Sequence, residues 1–253
     1  MSWEARDTAA AAGDVREAYS ALAAQVMARG YRDNPTYIAT KALVDWDLME
    51  DVPIDGRSVL NVGCFEPIDE MHFAHRVGRW TAVDINPDAV AMASRLADLE
   101  MPPALRARVD FRVEDATRLS FADGTFDLAV SFSALEHIPG REARCAAMAE
   151  MTRAVKPGGH VVITVPNRYS TFRFAHARNL KSHPGYGYSY LYGPLELRRD
   201  MEACGLTIQR FSSEYHGLLV LPSWIPQLCR HLLLPMVYLG ERIGCVARKE
   251  GQP

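Results

Sequence analysis

The sequence predicts an α/β protein built on a doubly wound, mostly parallel sheet. Three observations carry this. Short β-branched runs alternate with helix-like segments between residues 57 and 165. The runs are continuously apolar, as strands buried on both faces require. The chain has 253 residues, 48% hydrophobic and 23% charged, which is enough to close one large core.

The elements follow in order. Residues 14–29 and 35–48 read as two helices, with Asp14 able to cap the first, Gly30 to stop it and Asn34-Pro35 to start the second. "SVLNV" (58–62) is the first strand, followed by a helix near 68–77. "WTAVDI" (80–85) leads to a helix over 87–99, with Asn86 as cap and Pro87 at its first position. "VDFRVE" (109–114) and "FDLAVSF" (126–132) are strands three and four, and a helix spans 140–155. "KPGG" (156–159) is a turn into strand five, "HVVITV" (160–165). Residues 166–193 are aromatic and basic. "GPLELRRDMEACG" is a helix with Pro194 in its first turn and Gly205 past its end. "LTIQRFSS" (206–213) and "RIGCVARK" (242–249) are the closing strands, bringing the sheet to about seven.

The bulk numbers exclude several classes. A net charge of −3 and a pI near 6.2 argue against a general polyanion binder such as a nucleic-acid protein. Five cysteines, odd in number and never spaced CxxC, point to a reduced, cytoplasmic chain and away from disulfides or zinc. The first residues are acidic, with no apolar run of signal-peptide type. The apolar stretch 217–240 holds three prolines, Arg230 and His231, which does not suit a spanning helix. Residues 223–234 within it are amphipathic. They read as packing on the sheet, a lid over a lipid-like acceptor, or a peripheral membrane contact.

Ligands of such sheets bind beyond the carboxyl ends of the strands. Gly63 follows strand one, where backbone can approach a ligand. Asp84 ends strand two, where a carboxylate can accept from both hydroxyls of a ribose. Glu114-Asp115-Ala116 follow strand three, where a carboxylate and a backbone N–H can read an adenine edge. Together they suit an adenosine moiety. Taken singly, Asp84 or Asp115 could merely cap a helix or turn; their coincidence favours the ligand.

Four segments, "VLNVGC", "AVDINPDAV", "VEDATRLSFADGTFDLAVSFSALEHIP" and "VKPGGHVVITVPN", occur in one order. In this the chain resembles the class I S-adenosylmethionine-dependent methyltransferases, and "FADGTFDLAVS" with "LEHI" is similar to the small-molecule branch that includes the ubiquinone-type enzymes. The resemblance covers roughly 57–165 with a compatible tail to 249. It implies a Rossmann-like sheet whose last strand is antiparallel. It also implies S-adenosyl-L-methionine as cofactor, S-adenosyl-L-homocysteine as product, no metal, and a small-molecule acceptor. By that resemblance the Gly63-Cys64 turn lies against the methionine part, Asp84 holds the ribose and Ile85 sits beside the adenine. Asp115 and Ala116 bind the adenine, and Ser131 lines the methionine side unless it is an ordinary strand-end residue. The chain then reads as one domain: N-terminal helices (1–56), cofactor-binding core (57–165), and a substrate-facing cap with closing strands (166–253).

The first loop departs from the family. An acid usually stands at Asn61, where it helps bind the cofactor's ammonium, and glycines stand at Phe65 and Pro67. A positive φ at Phe65 costs about 1 kcal/mol. Pro67 is at home in a helix's first turn, so a rebuilt loop with a helix starting there is expected. Glu66 or Asp69 is expected to replace the lost charge.

A sulfonium methyl is already activated, so the protein must align, exclude water and, for an oxygen or nitrogen acceptor, take a proton. His137 in "ALEHIP" is the candidate base; the other reading is that Glu136-His137 only shapes the turn. His72 and His75, beside Asp69, read as core or surface histidines rather than metal ligands. For the acceptor, "RYSTFRFAHARNLK" offers Arg173 to an anion, or is a solvated face. "GYGYSYLYG" places Tyr186, Tyr188, Tyr190 and Tyr192 on one side if extended, as a pocket wall or as edge packing. The leading reading is methyl transfer to a hydrophobic or anionic small molecule. The alternative is a cofactor-binding or scaffold protein without transfer. A nicotinamide oxidoreductase needs more glycines than "GCFEPI" has. The acceptor atom and the oligomeric state stay open.

Overall fold

The computed structural model describes residues 3–29, 41, 45–50, 52–170, 187–214 and 240–251. Its strands are β1 (Ser58–Val62), β2 (Arg79–Asp84), β3 (Val109–Val113), β4 (Phe126–Phe132), β5 (Val155–Pro166), β6 (Leu206–Glu214) and β7 (Arg242–Lys249). They form one sheet in the order β3-β2-β1-β4-β5-β7-β6. The first five pair in parallel, and β7 lies antiparallel between β5 and β6. The expected seven-stranded, mostly parallel α/β sheet is present.

Neighbouring residues of each strand feed opposite cores, because side chains alternate across a sheet. Leu60, Ala129, Val161, Ile163 and Cys245 face one core, which Met148, Met151, Leu197 and Met201 complete. Val59, Leu128, Val130, Val162 and Val246 face the other, closed by Leu48, Met49, Phe73 and Ala97. This two-faced burial is why the strands are continuously apolar in sequence.

The helices are α1 (Trp3–Arg29), α2 (Asp47–Glu50), α3 (Ile68–Phe73), α4 (Pro87–Glu100), α5 (Pro103–Arg106), α6 (Arg141–Ala154) and α7 (Pro194–Ala203). Asn86 caps α4, its Oδ1 accepting from the N–H groups of Asp88 (2.9 Å) and Ala89 (3.4 Å). Pro67 stands at the N-cap of α3, where the rebuilt loop was expected to end.

Three expectations need correction. Asp14 does not cap the first helix: α1 begins at Trp3, and the alanine run 9–12 carries it across Gly13. The "KPGG" turn is contained in β5, as an irregularity in the pairing between Phe126↔Val155 and Leu128↔His160. The helix over 68–77 stops at Phe73. Most of the 35–48 helix, and the amphipathic stretch 223–234, lie outside the described residues. No described helix is long and apolar enough to cross a membrane.

α1 lies over the carboxyl end of the sheet. Ala23 and Val26 pack on Met92 and Leu96 of α4, with Phe65 against them. Asn86 Nδ2 donates to the Arg16 carbonyl (3.0 Å) and to Ser20 Oγ (3.1 Å). One asparagine thus caps α4 and anchors α1.

Candidate active site

The strand order reverses between β1 and β4, which is where open α/β sheets leave a crevice. A cavity of about 860 Å³ opens there. Its walls come from the ends of β1, β2 and β4, the loop after β3, and the α1 face bearing Val15, Tyr19 and Leu22.

The first loop is held tightly. Gly63 has φ +83°, and a Cβ there would lie 2.1 Å from the Cβ of Ala134. Its N–H and that of Cys64 both donate to the Val83 carbonyl, at 2.8 and 3.1 Å. The Cys64 thiol is pushed up well above its usual range by burial, then by the nearby Asp84 and Glu70 carboxylates. Phe65 takes φ +33°, in the region a glycine would occupy without cost. Its ring meets Tyr19 of α1 edge-on at 5.0 Å, so packing offsets the strain.

Asp84 ends β2 on the cavity wall. Burial raises its carboxyl, while N–H bonds from Asn86 (2.9 Å) and Phe65 (3.4 Å) act against this. Asp115 is exposed at the cavity. Its Oδ1 accepts from the backbone N–H and the hydroxyl of Thr117, at 2.9 and 2.7 Å, leaving Oδ2 for a ligand. Ala116 and Ile85 also line the wall, Ile85 at 46% exposure. Gly63, Cys64, Asp84, Ile85, Asp115, Ala116 and His137 therefore converge on one cavity.

Two of the cofactor candidates do not. Ser131 is fully buried and donates from Oγ to the Val62 carbonyl at 3.0 Å. Ser133, at φ +55°, takes the wall position instead. Asn61 is buried beneath the loop, its Nδ2 donating to Glu70 Oε1 at 2.6 Å. Trp80 Nε1 donates to the same oxygen at 2.9 Å. Asn61 is thus held by Glu70, while Glu66 and Asp69, the expected sources of replacement charge, both line the cavity. Burial, then the charge of Asp69, lifts Glu70 to about 7.

The cavity floor is a buried ion network that sequence reading missed. Asp45 binds Lys41 (3.0 Å) and Arg242 (2.9 Å) and accepts from Thr164 Oγ1 (2.7 Å). Burial alone would raise Asp45, but Arg242 and Lys41 hold it below the usual carboxylate range. Lys41 also reaches Asp69 at 2.9 Å, and Arg242 donates to Ser133 Oγ at 2.5 Å. Lys41, Asp69 and Arg242 all touch the cavity. Only the spacing of Val15, Tyr19 and Leu22 on one helix face gave a sequence signal for the rest of the covering wall.

His137 lies in a 3₁₀ turn, Leu135–His137, after β4. Its Nδ1 is 2.8 Å from the Tyr188 carbonyl, and Tyr19 packs on its ring at 5.2 Å. A carbonyl can only accept, so Nδ1 carries the proton and Nε2 is the basic nitrogen of the neutral ring. Tyr188 and Tyr190 do not wall the cavity as an acceptor site would require; both hydroxyl-bearing rings are drawn to Arg144 and its neighbours. Arg173 and Tyr186 lie outside the described residues. Among the described residues, no group of three or more His, Cys, Asp or Glu is arranged to hold a metal.

The profile of a family described as "Methyltransferase domain" matches residues 60–163, the span that builds this cavity. Over that span the chain is similar to the class I S-adenosylmethionine-dependent methyltransferases. Among curated relatives, the chain is 29% identical over 209 residues to 2-methyl-6-phytyl-1,4-hydroquinone methyltransferase of Synechocystis sp., covering 78% of this chain and 61% of that one. It is 34% identical over 116 residues to a ubiquinone biosynthesis O-methyltransferase of Alkalilimnicola ehrlichii, covering 46% and 44%. The chain thus spans less than two thirds of either relative's length. Among solved structures, the (4+2)-cyclase SpnF superposes with TM-score 0.63 at 20% identity, covering 85% of this chain and 83% of that one, a likeness of fold alone.

Proposed function

We propose that this chain is a single-domain methyltransferase transferring a methyl group from S-adenosylmethionine to an apolar small molecule, a hydroquinone-type ring being the first to try. The observation that carries this is the convergence of Asp84, Asp115 and His137 on one cavity. The acceptor class draws on the printed names of both curated relatives, which concern quinone-type compounds. The cofactor's fit rests on two features. Gly63, where a Cβ would clash with Ala134, lets its turn close into the cavity wall, and Asp84 and Asp115 offer carboxylate acceptors to the same cavity, suited to ribose hydroxyls and an adenine amino group.

When bound, the cofactor supplies an electrophilic methyl that needs no further activation. Asp84 would accept from the ribose, Asp115 and the Ala116 N–H would hold the adenine, and the Gly63-Cys64 turn would back the methionine chain. Asp69 and Lys41 would face the zwitterionic end. Tyr19 and the α1 face exclude water. His137 Nε2 takes the acceptor's proton.

Calorimetry with S-adenosylmethionine tests binding, with about a tenfold or greater loss expected for Asp84→Ala. Turnover of radiolabelled cofactor with a prenylated hydroquinone tests transfer. Absence of cofactor binding overturns the proposal. Binding without transfer to any acceptor favours the scaffold reading, which the altered first loop supports.

A further inference from the structure

We propose that Arg144 is a positioning residue: it ties the strap Gly187–Gly193 to the His137 turn and so sets which imidazole nitrogen faces the cavity. This rests on His137 acting as the base. Arg144 belongs to α6 and is 2% exposed. Its Nη1 donates to the Ile138 carbonyl at 3.1 Å, directly after His137. Its remaining contacts are all on the strap. Nε donates to Tyr192 Oη at 3.0 Å, Nη1 reaches Tyr188 Oη at 3.5 Å, and the guanidinium lies 3.7 Å from the Tyr190 ring centroid. One side chain thus grips both sides of the His137 Nδ1–Tyr188 carbonyl bond.

The strap is also held by backbone bonds and by the Tyr190 hydroxyl. The Tyr190 N–H donates to the Glu136 carbonyl at 2.8 Å, and the Tyr192 N–H to the Pro166 carbonyl at 3.1 Å. Tyr190 Oη donates to Glu196 Oε1 at 2.6 Å and accepts from Arg168 Nη2 at 2.7 Å. Among the described residues no carboxylate forms an ion pair with Arg144; phenol oxygens, a carbonyl and an aromatic face receive a buried charge. That is a costly arrangement for packing alone. It is a sound one for orientation, because a planar fork fixes several partners at once. Three of the four alternating tyrosines of the sequence are the surfaces this fork grips.

If the strap slips, the Tyr188 carbonyl leaves Nδ1, and the ring is free to carry its proton on Nε2, the wrong nitrogen for a base. Imidazole ¹⁵N NMR of the full chain labelled at histidine reads this directly, without turnover. The wild type is expected to show His137 protonated at Nδ1. Arg144→Lys, which keeps the charge but loses the fork, is expected to show a mixture of tautomers. In turnover with the acceptor, kcat should fall about tenfold or more while KM and cofactor affinity stay within about twofold. Tyr192→Phe, which removes a single oxygen, should move the tautomer the same way to a lesser degree, and stands in if the lysine variant does not fold. A wild type protonated at Nε2, or a folded Arg144→Lys with the wild-type tautomer, overturns the proposal. A chain that bound cofactor yet transferred nothing would defeat the functional reading while leaving the tautomer test standing.

Discussion

Replacing Glu70 with Gln is expected to flatten the pH dependence of this protein's stability. Glu70 is fully buried, and burial followed by the Asp69 charge lifts its carboxyl from 4.5 to about 7, against bonds from Asn61 and Trp80. The folded chain therefore keeps a proton that the unfolded chain has released. Stability from this group is complete below the unfolded value of 4.5, falls as pH rises, and is lost above about 7. The span corresponds to about 3 kcal/mol. Glutamine keeps the acceptor for Asn61 Nδ2 and Trp80 Nε1 and does not titrate. Asp69, Lys41 and Asp45 titrate in both proteins, so their effect largely cancels in the difference. Urea unfolding of both chains between about pH 4.5 and 8 should show the variant gaining about 3 kcal/mol on the wild type as pH rises, with equal m-values. Parallel stability curves across that range would refute a protonated Glu70.

At Phe65, Gly should be more stable than Ala by about 1 kcal/mol, because both lose the ring but only Gly relieves the φ of +33°; thermal melts giving the reverse order would show the backbone is not strained. Gly63→Ala drives a methyl against Ala134 and should cost about 2 kcal/mol or more with loss of cofactor binding, as read by urea unfolding and calorimetry; an unchanged protein would mean the turn opens freely. Asp45→Asn strips Lys41 and Arg242 of a shared carboxylate and should cost about 3–5 kcal/mol, and a loss below about 1 would show that Asp69, Ser133 and Thr164 suffice.

What could be read from the sequence follows physical range. The strands were legible because two-sided burial makes them apolar throughout, and Asp84 and Asp115 because a strand end dictates its own position. The positive φ at Phe65 was foreseen as a cost; its compensation, a tyrosine from α1, comes from a segment far along the chain. Ser131 was chosen where Ser133 lines the wall, because the chain leaves β4 after Phe132 and turns at Ser133. Glu66 and Asp69 do line the cavity, but that Glu70 is the residue reaching back to Asn61 depends on the phase of a helix only six residues long. The tyrosine alternation was visible, whereas its facing was decided by Arg144 on another helix.

The placement of β7 governs the order in which the site can be made. β6 borders β7 alone, and β5 has a bare edge until residues 242–249 slide between them. A ribosome delivers these residues after every other strand described. Arg242, the first residue of β7, is also the cation that binds Asp45, Thr164 and Ser133 at the cavity floor. A nascent chain can therefore assemble β1 to β4 and their acidic strand ends while the floor is still open. The pocket closes in one late event, the same insertion that completes the sheet, so a truncated or stalled chain is left with an unfinished ligand site and an exposed strand edge together.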